Sequence, residues 1–215
     1  MKIISTNIGE AVEIEWRGKK VKTGIFKKPT NLPLAIEKED VRGDHVMDRR
    51  YHGGVDKACY LYSADHYDYW RIRYPDLDWQ WGMFGENLTV EGIDESTIRV
   101  GDVYRLGTAL VQVTQPRQPC FKLGVRFNSQ KVVREFLESP FPGVYVRVLE
   151  EGTVEVGDEM LLERKATGNL SLKEVFALFS HHANDAGKLK KAIEMPELAS
   201  ACRKDLNKLL QFADE

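Results

Sequence analysis

The stretch Val100-Gly101-Asp102-Val103-Tyr104-Arg105-Leu106-Gly107-Thr108-Ala109-Leu110-Val111-Gln112-Val113-Thr114 decides the fold class. Gly-Asp is what a tight turn into a strand needs: Gly relieves the steric penalty, and Asp bonds nearby backbone N–H groups. VYRLG and ALVQVT then follow, each of strand length and rich in β-branched and aromatic residues. The same Val-Gly-Asp recurs at residues 156–158 before EMLL, which implies two related hairpins. Outward from this stretch, AVEIEW, KVKTGIF, ACYLYS, NLTVEG and VYVRVL read as further short strands, punctuated by Gly, Pro and Asp. The expectation is a mainly β protein built as a closed or nearly closed antiparallel barrel. Long helical crossovers are missing, which disfavours a parallel α/β arrangement.

Two segments inside this region have helical spacing, Ala64 to Tyr74 and Lys131 to Glu138. After Gly168 the pattern becomes helical throughout. Ser171-Leu172-Lys173-Glu174 has the spacing of a capping box, and Leu172, Val175, Phe176 and Phe179 form one apolar stripe. A second helix starts near Asn184 or Asp185, and Pro196 can open a third. His181-His182 lacks metal-ligand spacing and reads as a helix end. The organisation expected is a β-barrel domain over residues 1–165 and a small three-helix domain over 166–215, with a few short helices inside the barrel region.

The chain has 215 residues, 42% hydrophobic and 30% charged, and its 31 Lys+Arg against 33 Asp+Glu leave a formal net charge of -2. That balance excludes a global field for a nucleic-acid polymer or an anionic membrane. No stretch reaches membrane-spanning length, and Glu10, Glu13 and Glu15 fall where a signal peptide needs its apolar run. Three widely spaced cysteines without a CxxC indicate neither a disulfide framework nor a zinc site. A cytoplasmic protein with reduced thiols is expected.

Three stretches carry chemistry. In Thr114-Gln115-Pro116-Arg117-Gln118-Pro119-Cys120, two prolines fix φ and remove two donors, so a stiff extended loop presents Cys120 beside Arg117 and Lys122. A thiol so placed is favoured as thiolate, a nucleophile or soft-metal ligand; the alternative is a small buried hydrophobe. In Arg49-Arg50-Tyr51-His52-Gly53-Gly54-Val55-Asp56-Lys57, Gly53 and Gly54 permit close backbone approach while Arg49, His52 and Lys57 supply positive charge. This suits a phosphate or other anion, or else is a hairpin turn with solvated charges. Asn87, in Gly82-Met83-Phe84-Gly85-Glu86-Asn87-Leu88-Thr89, can face the heteroatoms of a pterin or purine or satisfy its own loop. Trp70, Trp79 and Trp81 read as core and loop anchors.

YHGGVDKA, FGENLT, IRVGDVYRLG, TQPRQPCFKL and VEVGDEMLLE together resemble a MOSC-domain protein of the YiiM-like branch, in matching order and over nearly the whole chain. The tail beginning SLKEVFAL is similar to the three-helix domain that branch carries after its barrel. The family often shows a second His where this chain has Tyr51. The resemblance implies a β-barrel binding a molybdenum–molybdopterin cofactor, with the family's cysteine, here Cys120, as the metal's protein ligand. It implies reduction of small N-hydroxylated compounds, including hydroxylamino nucleobases, with electrons from an external flavin or iron–sulfur reductase. Arg49, His52, Gly53, Gly54, Lys57, Asn87 and Arg117 are then candidate cofactor-binding residues. Two other classes stay open: a sulfur carrier using a persulfide on Cys120, and a non-catalytic molybdopterin-binding module. The tail could dock the electron donor, cover the site or form a homodimer contact.

Overall fold

The computed structural model describes residues 1–45, 47, 53–180 and 185–213, with the side chains at 212 and 213 left aside. Arg49, His52 and the His181-His182 pair lie outside the described residues. In chain order the elements are β1 (Lys2–Gly9), β2 (Val12–Trp16), β3 (Lys19–Thr23), β4 (Lys27–Thr30), β5 (Leu34–Ile36), β6 (Cys59–Ser63), α1 (Tyr67–Arg73) and β7 (Leu88–Glu91). There follow β8 (Val103–Leu106), β9 (Ala109–Pro116), α2 (Phe121–Arg126), α3 (Lys131–Glu138), β10 (Val144–Glu150), β11 (Gly152–Val154) and β12 (Met160–Arg164). The tail carries α4 (Leu172–Ala177), α5 (Ala186–Glu194) and α6 (Ser200–Ala213).

Eight strands form one sheet in the order β12-β8-β9-β10-β6-β7-β1-β4, and β5–β11 and β2–β3 make two short ribbons. The large sheet curls back on itself. Ile3 N donates to Asp158 O at 2.9 Å, Gly157 N to Ile3 O at 2.9 Å and Met160 N to Met1 O at 2.9 Å, so β1 meets the approach to β12 and closes the barrel. Closure leaves few unpaired edges. The pairing departs from the all-antiparallel expectation at one place, where β6 and β7 run parallel. A parallel neighbour needs a crossover of a dozen or more residues, and the segment containing α1 supplies it.

Both Val-Gly-Asp turns use their aspartate alike: Asp102 Oδ2 accepts from Arg99 N at 2.9 Å, and Asp158 Oδ2 accepts from Glu155 N at 2.9 Å. The capping box forms as its spacing indicates. Glu174 N donates to Ser171 Oγ at 3.2 Å and Ser171 N donates to Glu174 Oε2 at 2.9 Å. Two expectations shift. β9 continues through Pro116, which opposes Val144 of β10, so the stiff segment is strand for two residues longer. The last helix begins at Ser200 rather than Pro196, because Arg203 binds the carbonyls of Met195 and Leu198 and stabilises a turn over 195–198.

One apolar core runs through barrel and tail. Leu106, Val111, Val113 and Val146 share it with Leu172, Val175, Leu189, Leu198, Cys202 and Leu206, all nearly excluded from solvent. Beside it lies an aromatic cluster of Tyr62, Tyr67, Trp70, Phe84, Phe127 and Phe136. Tyr62 and Phe84 stack at 4.2 Å, and Trp70 Nε1 donates to the Tyr62 hydroxyl at 2.8 Å, so the buried polar tips pair with each other. No helix among the described residues is long and apolar enough to cross a membrane.

Candidate cofactor-binding cleft

β9 ends at Pro116, Arg117 to Pro119 carry the chain on, and Cys120 sits immediately before α2 with extended backbone (φ -133°, ψ 174°). Cys120 lines a cleft of about 630 Å³, counted with its open mouth. Its walls come from six separate parts of the chain, one of them β10 with Tyr145. Gly24 and Ile25 come before β4 with Lys27 at its start; Asp44 and His45 follow β5; Gly53 and Lys57 precede β6, which supplies Tyr60; Gly85 and Asn87 precede β7; and Arg117 and Lys122 flank Cys120.

Positive charge dominates this cleft. Arg117 is 5% exposed, its guanidinium carbon 5.1 Å from the Tyr60 ring centroid and 5.5 Å from that of Phe136. Aromatic faces partly replace the water that this cation has lost. Even so, its Nη1 has no hydrogen-bond partner among the described residues. Lys122 is 8% exposed and pairs with no carboxylate among the described residues. Burial lowers the Lys57 pKa, with Asp205 and Asp56 acting in the opposite direction. Among the described lining residues the acidic side chain is Asp44, and it is engaged: Lys27 pairs with it, Asn87 Nδ2 donates to its Oδ2 at 3.0 Å and Gly9 N to its Oδ1 at 2.9 Å. A cavity with more buried cations than anions favours an anionic occupant, because bringing in negative charge compensates desolvated positive charge.

Two tyrosines form the apolar side. Tyr60 and Tyr145 lie with ring centroids 4.9 Å apart, and Tyr60 donates its hydroxyl proton to Pro142 O at 3.0 Å. Burial pushes the Tyr60 pKa well up, so it remains a neutral phenol. The other thiols are withdrawn from chemistry, since burial raises Cys59 and Cys202 to about 12.

The structure therefore brings Gly53, Lys57, Asn87, Arg117 and Cys120 to one cleft, out of the residues singled out in the sequence. Gly54 turns away from its lining and donates its N–H to Glu39 O at 3.0 Å. The Asn87 amide is engaged on both ends, with Oδ1 accepting from Tyr60 N at 3.2 Å and Nδ2 held by Asp44. Behind it, Glu86 is wholly buried and accepts from Gly82 N at 2.9 Å, Phe84 N at 3.0 Å, Thr89 Oγ1 at 3.0 Å and the Tyr67 hydroxyl. Burial raises its pKa, opposed by these donors. Sequence reading missed Lys27, Asp44, Tyr60 and Glu86. None stands in a local motif of its own; FGENLT contains Glu86, but only its burial distinguishes it.

Among the described residues no three His, Cys, Asp or Glu side chains converge to hold a metal ion. Comparison with known proteins agrees with the geometry. A family model described as MOSC domain matches residues 48–161. The uncharacterized protein YflK of Bacillus subtilis is 35% identical over 201 residues, covering 94% of this chain and 90% of that one. The crystal structure of YiiM from Geobacillus stearothermophilus superposes with a TM-score of 0.80 at 34% identity, over 97% of this chain and 98% of that chain. A protein named reductase from Gibberella moniliformis is 34% identical over 152 residues, which are 68% of this chain but only 27% of that longer protein. On the family match and on likeness along nearly the whole chain, the chain belongs to the MOSC-domain family, in its YiiM-like branch.

Proposed function

We propose that the cleft holds a molybdenum–molybdopterin cofactor and that the protein is an oxidoreductase reducing small N-hydroxylated compounds to the amine. The observation that carries the reading is the composition of the cleft: one accessible thiol, Cys120, set among Lys57, Arg117 and Lys122, with a buried guanidinium Nη1 unpartnered among the described residues. A phosphate-bearing dithiolene cofactor is anionic and soft, and the residues fit it. Cys120 would be the protein ligand to the metal, and Lys57, Arg117 and Lys122 would hold the negative groups. Gly53 lets backbone approach closely, and Tyr60 and Tyr145, inclined at 36° to each other, offer aromatic surface for a planar ring.

When bound, the cofactor supplies the two-electron couple that the side chains lack. Overall, a hydroxylamine, two electrons and two protons give an amine and water. The electrons come from an external flavin or iron–sulfur reductase. Lys27 Nζ, held by Asp44 on the cleft wall, would be the proton donor to the departing oxygen. The relative named reductase supports an oxidoreductase reading in kind.

The test is metal and pterin analysis of protein co-expressed with molybdenum-cofactor biosynthesis, wild type beside Cys120→Ser. The expected result is about one molybdenum per chain in the wild type and a depleted variant that retains its fold but not reductase turnover. Wild-type protein without molybdenum or pterin, from cells that load a control molybdoenzyme, would overturn the reading. A persulfide trapped on Cys120 would then favour sulfur transfer.

A further inference from the structure

The motif that carries Lys57 also carries Asp56, whose carboxylate faces away from the cleft. Asp56 Oδ1 accepts from Arg147 Nη2 of β10 at 2.7 Å, and its Oδ2 accepts from Ser200 N at 2.9 Å and Ser200 Oγ at 3.3 Å. Ser200 is the first residue of α6, so a carboxylate from the barrel serves the first turn of a tail helix. Two further bonds reinforce the joint. Thr114 Oγ1 donates to Asp56 O at 2.7 Å while Ala199 N donates to Thr114 O at 3.2 Å. Arg147 Nη2 also reaches Glu197 O at 3.0 Å. Arg147 and Asp56 side chains are 21% and 24% exposed, so their ion pair is partly shielded from screening, while the bonds to Ser200 lie at the surface. Asp205, one turn further along α6, is among the charges that act on Lys57.

We propose that Asp56 is a positioning residue through which α6 sets the placement of Lys57 in the cleft. The tail then acts as a strut for the cofactor-binding loop, an effect transmitted over one residue of backbone. This deepens the cofactor reading, since it matters to function only because Lys57 faces the bound anion. The placement itself can be measured without any cofactor.

Ser200→Pro removes both the N–H and the hydroxyl that Asp56 accepts. The helix tolerates it, because the Ser200 N–H has no acceptor within α6 and proline is favoured at the first helical position. Ser200→Thr keeps both donors. Hydrogen exchange of the cofactor-free full chain, read on peptides covering residues 53–60, reports the amides of Gly54, Lys57 and Ala58, each bonded in the native loop. Exchange there should accelerate about tenfold in Ser200→Pro, the loss expected for hydrogen bonds to a charged acceptor, and stay as wild type in Ser200→Thr. Asp56→Asn should behave as Ser200→Pro does. After co-expression, Ser200→Pro should carry less molybdenum than Ser200→Thr, which shares its site of change.

Unchanged exchange over 53–60 in Ser200→Pro would overturn the proposal, as would an equal acceleration in Ser200→Thr. Accelerated exchange in Ser200→Pro alone, together with wild-type protein that takes up no molybdenum, would uphold the strut while removing the cofactor reading.

Discussion

Two loops line the cleft, and each is organised by one carboxylate. In residues 82–87 Glu86 gathers donors from Gly82, Phe84 and Thr89, all within four residues, and from Tyr67 on α1. In residues 53–57 Asp56 instead gathers Arg147 and Ser200, which are 91 and 144 residues away in sequence. The first wall is set by its own neighbourhood. The second exists only when β10 and the tail are already in place, so its stability is borrowed from the global fold.

The comparison can be broken most severely at Glu86. Glu86→Ala leaves the N–H groups of Gly82 and Phe84 unsatisfied in a dry interior, an expected loss of about 4 kcal/mol in urea unfolding, with Glu86→Gln losing less. Arg147→Met should cost about 2 kcal/mol, because Asp56 loses its closest charge partner yet keeps Ser200. A smaller contrast comes from two glycines with similar positive φ, Gly82 at 84° and Gly54 at 79°. Alanine at Gly54 meets open space but must hold φ 79° with ψ 173°, a backbone region essentially reserved for glycine, and should cost about 2 kcal/mol for that strain alone. Alanine at Gly82 would bring its Cβ to 2.9 Å from Lys27 O, so its melting temperature should fall further.

The smallest effect belongs to a site outside both walls and serves as their reference. The Ser171 N–H holds the Glu174 carboxyl below its usual range. A depressed folded-state pKa contributes stability above the ordinary carboxylate pKa that is lost as pH falls through the folded value. Glu174→Gln should therefore be less stable than wild type by about 1 kcal/mol at neutral pH, with the gap closing in acid urea titrations.

Local signals in the sequence were sufficient for much of the fold. The runs at VYRL, ALVQVT, CYLYS and VYVRVL are strands because period and β-branching act over five or six residues, and Ser171–Glu174 is a cap because its partners are three apart. The parallel β6–β7 pair was not legible, since strand direction is set by the crossover and not by the strands. For the cleft, Cys120, Arg117 and Lys57 stood in motifs, whereas Lys27, Asp44 and Tyr60 are ordinary residues of separate segments made neighbours by topology. Lys122 was visible only as a neighbour of Cys120 in sequence. The link from Asp56 to Ser200 had no sequence signature at all, because a helix start is normally capped by its own preceding residue.

Barrel closure by Ile3 and Asp158 joins residues 155 positions apart. Contacts of such sequence separation recover their loop entropy only after the intervening sheet has assembled, which places this seam late in folding. A late seam governs departure from the native state more than arrival at it. Strengthening the Ile3–Asp158 edge would thus lengthen the lifetime of the folded protein while leaving its folding rate nearly unchanged, making the first strand a clasp whose holding time is separable from how fast the barrel forms.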